Sequence, residues 1–269
     1  MSAILRRQIL RKCSGMDVPL VGFAPASRWD DPPFEPWVPE AFRPASLFPG
    51  TKTVIVIGFP VSLPIVDTAP SIWYHELYRT VNTLLDSCGY RLATFLTDKG
   101  YPSVWVPRDG YGSIEVLQEK PIAFFSHRHA AFCAGLGNFG ENNMLLTPQY
   151  GPRVRFASIL STAEIPGEPV IDDPLCIRCK RCVSVCPVSA VASEGYPQGL
   201  TDKHACAKRS GQLKDRYISP CGCCIKVCPV GKDRDQYNRT DMRMYSKESP
   251  SSGPYDRIQD HVRSYGSRQ

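Results

Sequence analysis

The sequence predicts an α/β fold, an α+β sandwich in which helices cover a sheet, followed by a smaller cysteine-framed module. Three observations carry this prediction. Strand-like apolar runs alternate with helical periods through most of the 269 residues ahead of Cys176. Nine of the twelve cysteines crowd into the stretch from Cys176 to Cys228. Hydrophobic residues form 42% and aromatic residues 10% of the chain, enough to bury a core, and 22% charged is ordinary for a globular protein.

The elements follow in chain order. Ala3 to Lys12 reads as a charged first helix. Leu20–Phe23 and Thr53–Phe59 (TVIVIGF) are apolar runs of strand length, the second entered from a Pro49-Gly50 turn, and both read as interior strands. Between them, six prolines from Pro32 to Pro49 exclude regular helix and central strand over Trp29–Pro49 and predict an ordered surface loop. Ile72–Thr97 places Leu77, Val81, Leu84, Leu85, Tyr90, Leu92 and Leu96 at roughly helical spacing, with Gly89 as a point of interruption, and Ser103–Val106 follows as a strand. Ser126–Ala134 is helical and closes in Gly135-Leu-Gly-Asn-Phe-Gly140, where glycine permits positive φ and close backbone approach. Met144–Thr147 and Val154–Ser161 resume strand character. From Gln236 onward the chain is polar and expected to be flexible, with Tyr245, Tyr255 and Ile258 as the residues able to dock.

No apolar run reaches the roughly 18 to 20 residues that span a bilayer. Arg6-Arg7 is followed by Cys13-Ser14-Gly15 instead of the apolar stretch of a twin-arginine signal, so no membrane association and a cytoplasmic location are expected. Dense clustering of cysteines after a cysteine-poor region suits a metal framework in a reducing compartment better than a disulfide scaffold. Charge is uneven in the same way. From Cys176 to Asp235, 11 basic residues face 5 acidic ones, a local excess as large as the whole chain's net charge of +6. Alone, that block would suggest a nucleic-acid surface.

The cysteines offer a different account. Cys176-Ile-Arg-Cys179-Lys-Arg-Cys182-Val-Ser-Val-Cys186-Pro187 is the CxxCxxCxxxCP run of two-cluster ferredoxins, in which three cysteines wrap one cubane and the fourth ligates the other. Zinc, which also uses CxxC pairs, is the competing reading, but it needs neither the third close cysteine nor the terminal Cys-Pro. The partner run, Cys221-Gly-Cys223-Cys224-Ile-Lys-Val-Cys228-Pro229, shortens the motif to CxxCxxxCP. The exchange rule assigns Cys176, Cys179, Cys182 and Cys228 to one [4Fe-4S] cluster, and Cys186, Cys206, Cys221 and Cys224 to a second. Cys223 is left over, with Cys223 in place of Cys221 as the alternative. Cys13, Cys88 and Cys133 are packing thiols. Two such clusters carry about −4 in total, which offsets most of the basic excess.

With Ala134-Gly-Leu-Gly-Asn-Phe-Gly140 and Leu145-Leu-Thr-Pro-Gln-Tyr-Gly-Pro-Arg-Val-Arg155 ahead of this block, and with LFPGTKTVIVIG at Leu47–Gly58, the sequence resembles the epoxyqueuosine reductase and reductive dehalogenase superfamily. The resemblance spans about residues 1 to 232. It implies a cobalamin-dependent reductase: a nitroreductase-like α/β domain over 1–170 that holds a corrinoid, a ferredoxin-like domain over 171–235 with two [4Fe-4S] clusters, and a polar tail over 236–269. It places Gly135, Gly137, Asn138, Gly140, Asn142 and Asn143 against the corrinoid; a tight helix-to-strand turn is the alternative reading of the same residues. An electron donor such as ferredoxin or flavodoxin is implied, with a small molecule or corrinoid protein as partner and tRNA less favoured.

The sequence departs from the family where epoxyqueuosine reductases carry an acidic DxAPxxE segment. Here Pro121 to Ala131 reads PIAFFSHRHAA and holds no carboxylate. His127 and His129 are the substitute proton donors, since imidazole can donate near neutral pH, with ordinary packing histidines as the alternative. Three functions follow: an iron–sulfur oxidoreductase, an electron-transfer module docking a partner enzyme, or an RNA-binding protein with structural clusters.

Overall fold

A computed structural model describes residues 2–30, 38–245 and 254–266. Helix α1 (Ser2–Ser14) leads into strand β1 (Leu20–Pro25). Past the Pro-rich segment come a four-residue helix α2 (Pro44–Leu47), strand β2 (Thr53–Pro60), a short α3 (Leu63–Val66) and the long α4 (Ile72–Asp98). Strand β3 (Ser103–Val106), α5 (Ile114–Glu119) and α6 (His127–Cys133) precede a two-stranded ribbon of β4 (Asn138–Phe139) and β5 (Leu145–Leu146), and β6 (Val154–Ser161) completes the α/β part.

The main sheet has the order β1-β2-β6-β3, and every neighbouring pair is antiparallel. Its centre is the β2–β6 pair, with Ile57 opposite Ala157. Ile55 and Ile57 pack with Leu5, Ile9, Leu85 and Leu92 of α1 and α4. Val54 and Val56 point the other way, to Ala130 and Ala134 at α6. Because both faces of β2 are covered, TVIVIGF needs no polar alternation. The sheet therefore has two helical layers.

Three expectations are corrected. Helix α4 runs unbroken through Gly89, which packs against Trp105 of β3 at a distance that leaves little room for a side chain. The Trp29–Pro49 segment is not irregular throughout: Pro44 occupies the first turn of α2, where a missing N–H costs nothing. Pro32, Pro33 and Pro36 lie outside the described residues.

The third concerns the tail and is partial, because Tyr245 is one of the residues expected to dock. Met242–Tyr245 forms a turn of 3-10 helix and Pro254–Tyr265 forms α11, after α7 to α10 described below. The Tyr245 hydroxyl donates to Asp67 Oδ1 at 2.6 Å, and Arg239 pairs with Asp67 Oδ2 at 3.1 Å. Asp67 is buried, so an ionised carboxylate there needs these partners. Ile258 remains exposed, and the Tyr255 side chain lies outside the described residues.

Candidate metal centre

The cysteine block folds as two copies of one local design. In the first, Lys180 takes a left-handed conformation (φ 59°) at the N-cap of α7 (Arg181–Ser184), which places Cys179 just before the turn and Cys182 within it. Helix α8 (Lys203–Lys214) intervenes, capped by the Asp202 side chain and carrying Cys206. In the second copy, Gly222 takes the left-handed N-cap (φ 71°) of α9 (Cys223–Lys226). Cys221, Cys224 and Cys228 thus occupy the backbone positions of Cys179, Cys182 and Cys186. Cys223 falls where the first copy has Arg181. Its sulfur lies 3.4 Å from that of Cys221.

Cys176, Cys179, Cys182 and Cys228 line one small pocket, with Gly140, Glu141 and Lys180 on its wall. Burial pushes the Cys182 thiol up to about 11, helped by Cys228, Glu141, Cys176 and Cys179. Cys206 is raised by burial and then by Cys221 and Cys186, while Cys224, raised by burial, also feels Cys206, Cys221, Cys182 and Cys186. Cys182 thus lies in the field of Cys176, Cys179 and Cys228, and Cys224 in that of Cys206, Cys221 and Cys186 but also of Cys182, so the two sets of the exchange rule adjoin one another. Four thiols around one pocket are a donor set that fits an iron–sulfur cubane. Cys13 and Cys133 are buried and pushed up to about 12, chiefly by desolvation, and Cys88 is raised for the same reason.

Two buried arginines hold this block, and the first ties it to the sheet. Arg153, at the entry to β6, makes a two-pronged pair with Asp233 at 2.6 and 2.7 Å and donates to the carbonyls of Ile225, Cys228 and Val230. Arg234, on α10 (Asp233–Gln236), donates to the carbonyls of Cys228, Lys226 and Arg239. The backbone of Cys228 is thereby held from both sides.

The glycine-rich passage meets this chain's own backbone. A Cβ on Gly137 would overlap the Leu146 carbonyl across the β4–β5 ribbon, and one on Gly135 (φ 68°) would overlap the Pro169 carbonyl. Asn138 donates Nδ2 to Asp173 O at 2.7 Å and accepts from Leu175 N at 3.1 Å, clasping the segment that leads into Cys176. Asn142 Oδ1 accepts from Met144 N, and the Asn143 carbonyl accepts from Arg128. Gly140 closes on Leu146 and Asn142. Of these six, Gly140 and Asn142 line the pocket of the first cysteine group.

His127 and His129 also have local partners. Nε2 of His127 donates to Pro107 O at 2.8 Å and Nδ1 accepts from Ser158 Oγ at 2.9 Å, so the ring sits neutral between α6 and β6. Burial pushes it down to about 4. His129 lies between Ser126 Oγ and Tyr196 OH, packed on Phe139, and burial with Arg128 pushes it down to about 3. At neutral pH neither ring carries a second proton to give, so the proton-donor role does not follow from this geometry.

Sequence reading missed a polar cluster beside the second cysteine group. Arg155 bonds Asp109 at 2.8 Å and Asn82 at 3.1 Å, and its guanidinium lies 4.3 Å from the centre of the Tyr78 ring. Arg128 is electrostatically close to Arg155, Cys206 and Cys224. Only the terminal Arg155 of the LTPQYGPRVR segment hinted at it.

Residues 169–192 match the family model of a 4Fe-4S binding domain. Over 197 residues the chain is 28% identical to a tetrachloroethene reductive dehalogenase of Desulfitobacterium hafniense, covering 67% of this chain and 33% of that one. It is 24% identical over 227 residues to an epoxyqueuosine reductase of Bacillus cereus, covering 77% of this chain and 56% of the relative. The homologues of this chain are reductive dehalogenases and epoxyqueuosine reductases. A solved catabolic reductive dehalogenase in complex with 3-bromo-4-hydroxybenzoic acid matches 91% of this chain and 34% of its own, with a TM-score of 0.62 at 19% identity, a likeness of fold. The chain spans about a third of the length of the dehalogenase relatives and about half that of the epoxyqueuosine reductases. Among the described residues, no helix is long and apolar enough to cross a membrane.

Proposed function

We propose that this chain is an iron–sulfur oxidoreductase that passes electrons through two [4Fe-4S] clusters to a substrate or corrinoid received by the α/β part. The observation that supports the reading is the repeated turn, in which Cys221, Cys224 and Cys228 stand where the first copy has Cys179, Cys182 and Cys186, together with the pocket lined by Cys176, Cys179, Cys182 and Cys228. Bound clusters supply one-electron transfer at low potential. The chain's own residues hold the two cysteine groups side by side, with Arg153 tying the Cys228 carbonyl to the sheet and Arg234 bonding the same carbonyl from within the block. Arg128 and Arg155 mark the face of the second group that meets the α/β part, and their positive charge favours an anionic acceptor there.

A small acidic electron carrier of the ferredoxin or flavodoxin kind is the proposed donor, and the basic excess of the block suits such a partner. The reduced, anaerobically purified protein tests the reading when mixed with cob(II)alamin and followed by absorption and EPR. Loss of the cobalt signal in step with cluster oxidation supports electron delivery to a corrinoid. Clusters that stay reduced, with no bound corrinoid, restrict the reading to a non-corrinoid acceptor.

A further inference from the structure

Glu141 belongs to no cysteine motif, yet it forms part of the wall of the cavity lined by Cys176, Cys179, Cys182 and Cys228. Its side chain is 7% exposed, and Oε1 pairs with Lys180 Nζ at 2.5 Å. Oε2 is buried and has no hydrogen-bond partner among the described residues. Lys180 lies inside the first cysteine motif, is held left-handed, and also donates to the Ser193 carbonyl at 2.5 Å. Its side chain is 49% exposed.

The pair is electrostatically lopsided. The carboxylate sits in the interior, where charge is poorly screened, while the ammonium is half in water. The first cysteine group, which lines the same pocket as Glu141, therefore feels more of the anion than of the cation. A glutamine of the same shape would fill the space without burying a charge beside an anionic centre, so packing alone does not account for a carboxylate here. Added negative charge beside a cluster disfavours its reduction.

We propose that Glu141, steadied by Lys180, is a positioning residue that sets the reduction potential of the cluster held by Cys176, Cys179, Cys182 and Cys228, keeping it low. This rests on the two-cluster reading. The test is an EPR-monitored redox titration of the full-length holoprotein, with the relevant signal assigned by its loss in Cys176→Ser. Glu141→Gln raises the midpoint of that signal by the equivalent of about a tenfold change in the oxidised-to-reduced ratio, about 59 mV for one electron. Lys180→Met moves it the opposite way, Glu141→Asp leaves it near the parent value, and the other cluster shifts less. Full iron with an unmoved midpoint in Glu141→Gln overturns the proposal. So does loss of the first cluster's iron in that variant, which would make the residue structural. A parent protein with fewer than about eight irons per chain fails the two-cluster reading instead, and iron analysis shows this before any potential is measured.

Discussion

At the scale of single residues, Arg153 and Asp233 tie the molecule together most tightly. Their side chains are 0% and 4% exposed, so removing one partner strands a buried charge. Arg153→Met is expected to destabilise the protein by about 3–5 kcal/mol, and Arg153→Met with Asp233→Asn to recover part of that loss. Denaturant midpoints of the holoprotein check both, and iron release to a chelator should quicken in the single variant. The pair joins positions far apart in sequence, which is why it was not legible there. LTPQYGPR announced an arginine but not the carboxylate it would meet. The two histidines were legible only as residues able to carry protons. Their neutral state comes from Ser158, Pro107 and Tyr196, which no local pattern brings to them.

That neutrality has a pH signature. The folded-state value of His127 lies near 4, below the ordinary 6.5 of an unfolded chain. Between those values the unfolded state binds more protons, so the contribution of His127 to stability is complete above about pH 6.5 and falls as pH drops toward 4. His127→Gln should flatten the pH dependence of the denaturation midpoint across that window. An unchanged slope would show that the ring is protonated or exposed in the folded protein.

At the scale of elements, the glycine passage joins sheet and cysteine block. Its sequence showed that something must approach the backbone closely, and the structure shows that β5 and the segment around Pro169 do so. Gly137→Ala, which drives a methyl into the Leu146 carbonyl, should lower the thermal midpoint far more than Gly15→Ala, whose Cβ meets nothing nearer than 3.5 Å. Equal effects would mean that the β4–β5 ribbon does not form as described. Strand β2 was legible because its continuous apolar run has only one economical placement, the centre of a doubly covered sheet. The tail was not, since a polar sequence gives no sign that buried Asp67 will anchor it through Tyr245 and Arg239.

At the scale of the whole molecule, a sheet covered by helices on both faces adjoins a module that carries two cysteine runs. The CxxCxxCxxxCP and CxxCxxxCP runs made that module legible, because cluster chemistry fixes the spacing of its ligands. The structure adds the repeat that equates Cys221, Gly222 and Cys224 with Cys179, Lys180 and Cys182. Metal content per chain, measured with the EPR spectrum of anaerobically purified protein and its Cys223→Ser and Cys228→Ser variants, tests the two-cluster account most directly. The account predicts about eight irons in the parent and in Cys223→Ser, with one cluster's signal lost or altered in Cys228→Ser. Zinc in place of iron, about four irons in the parent, or a cluster lost with Cys223, would contradict it.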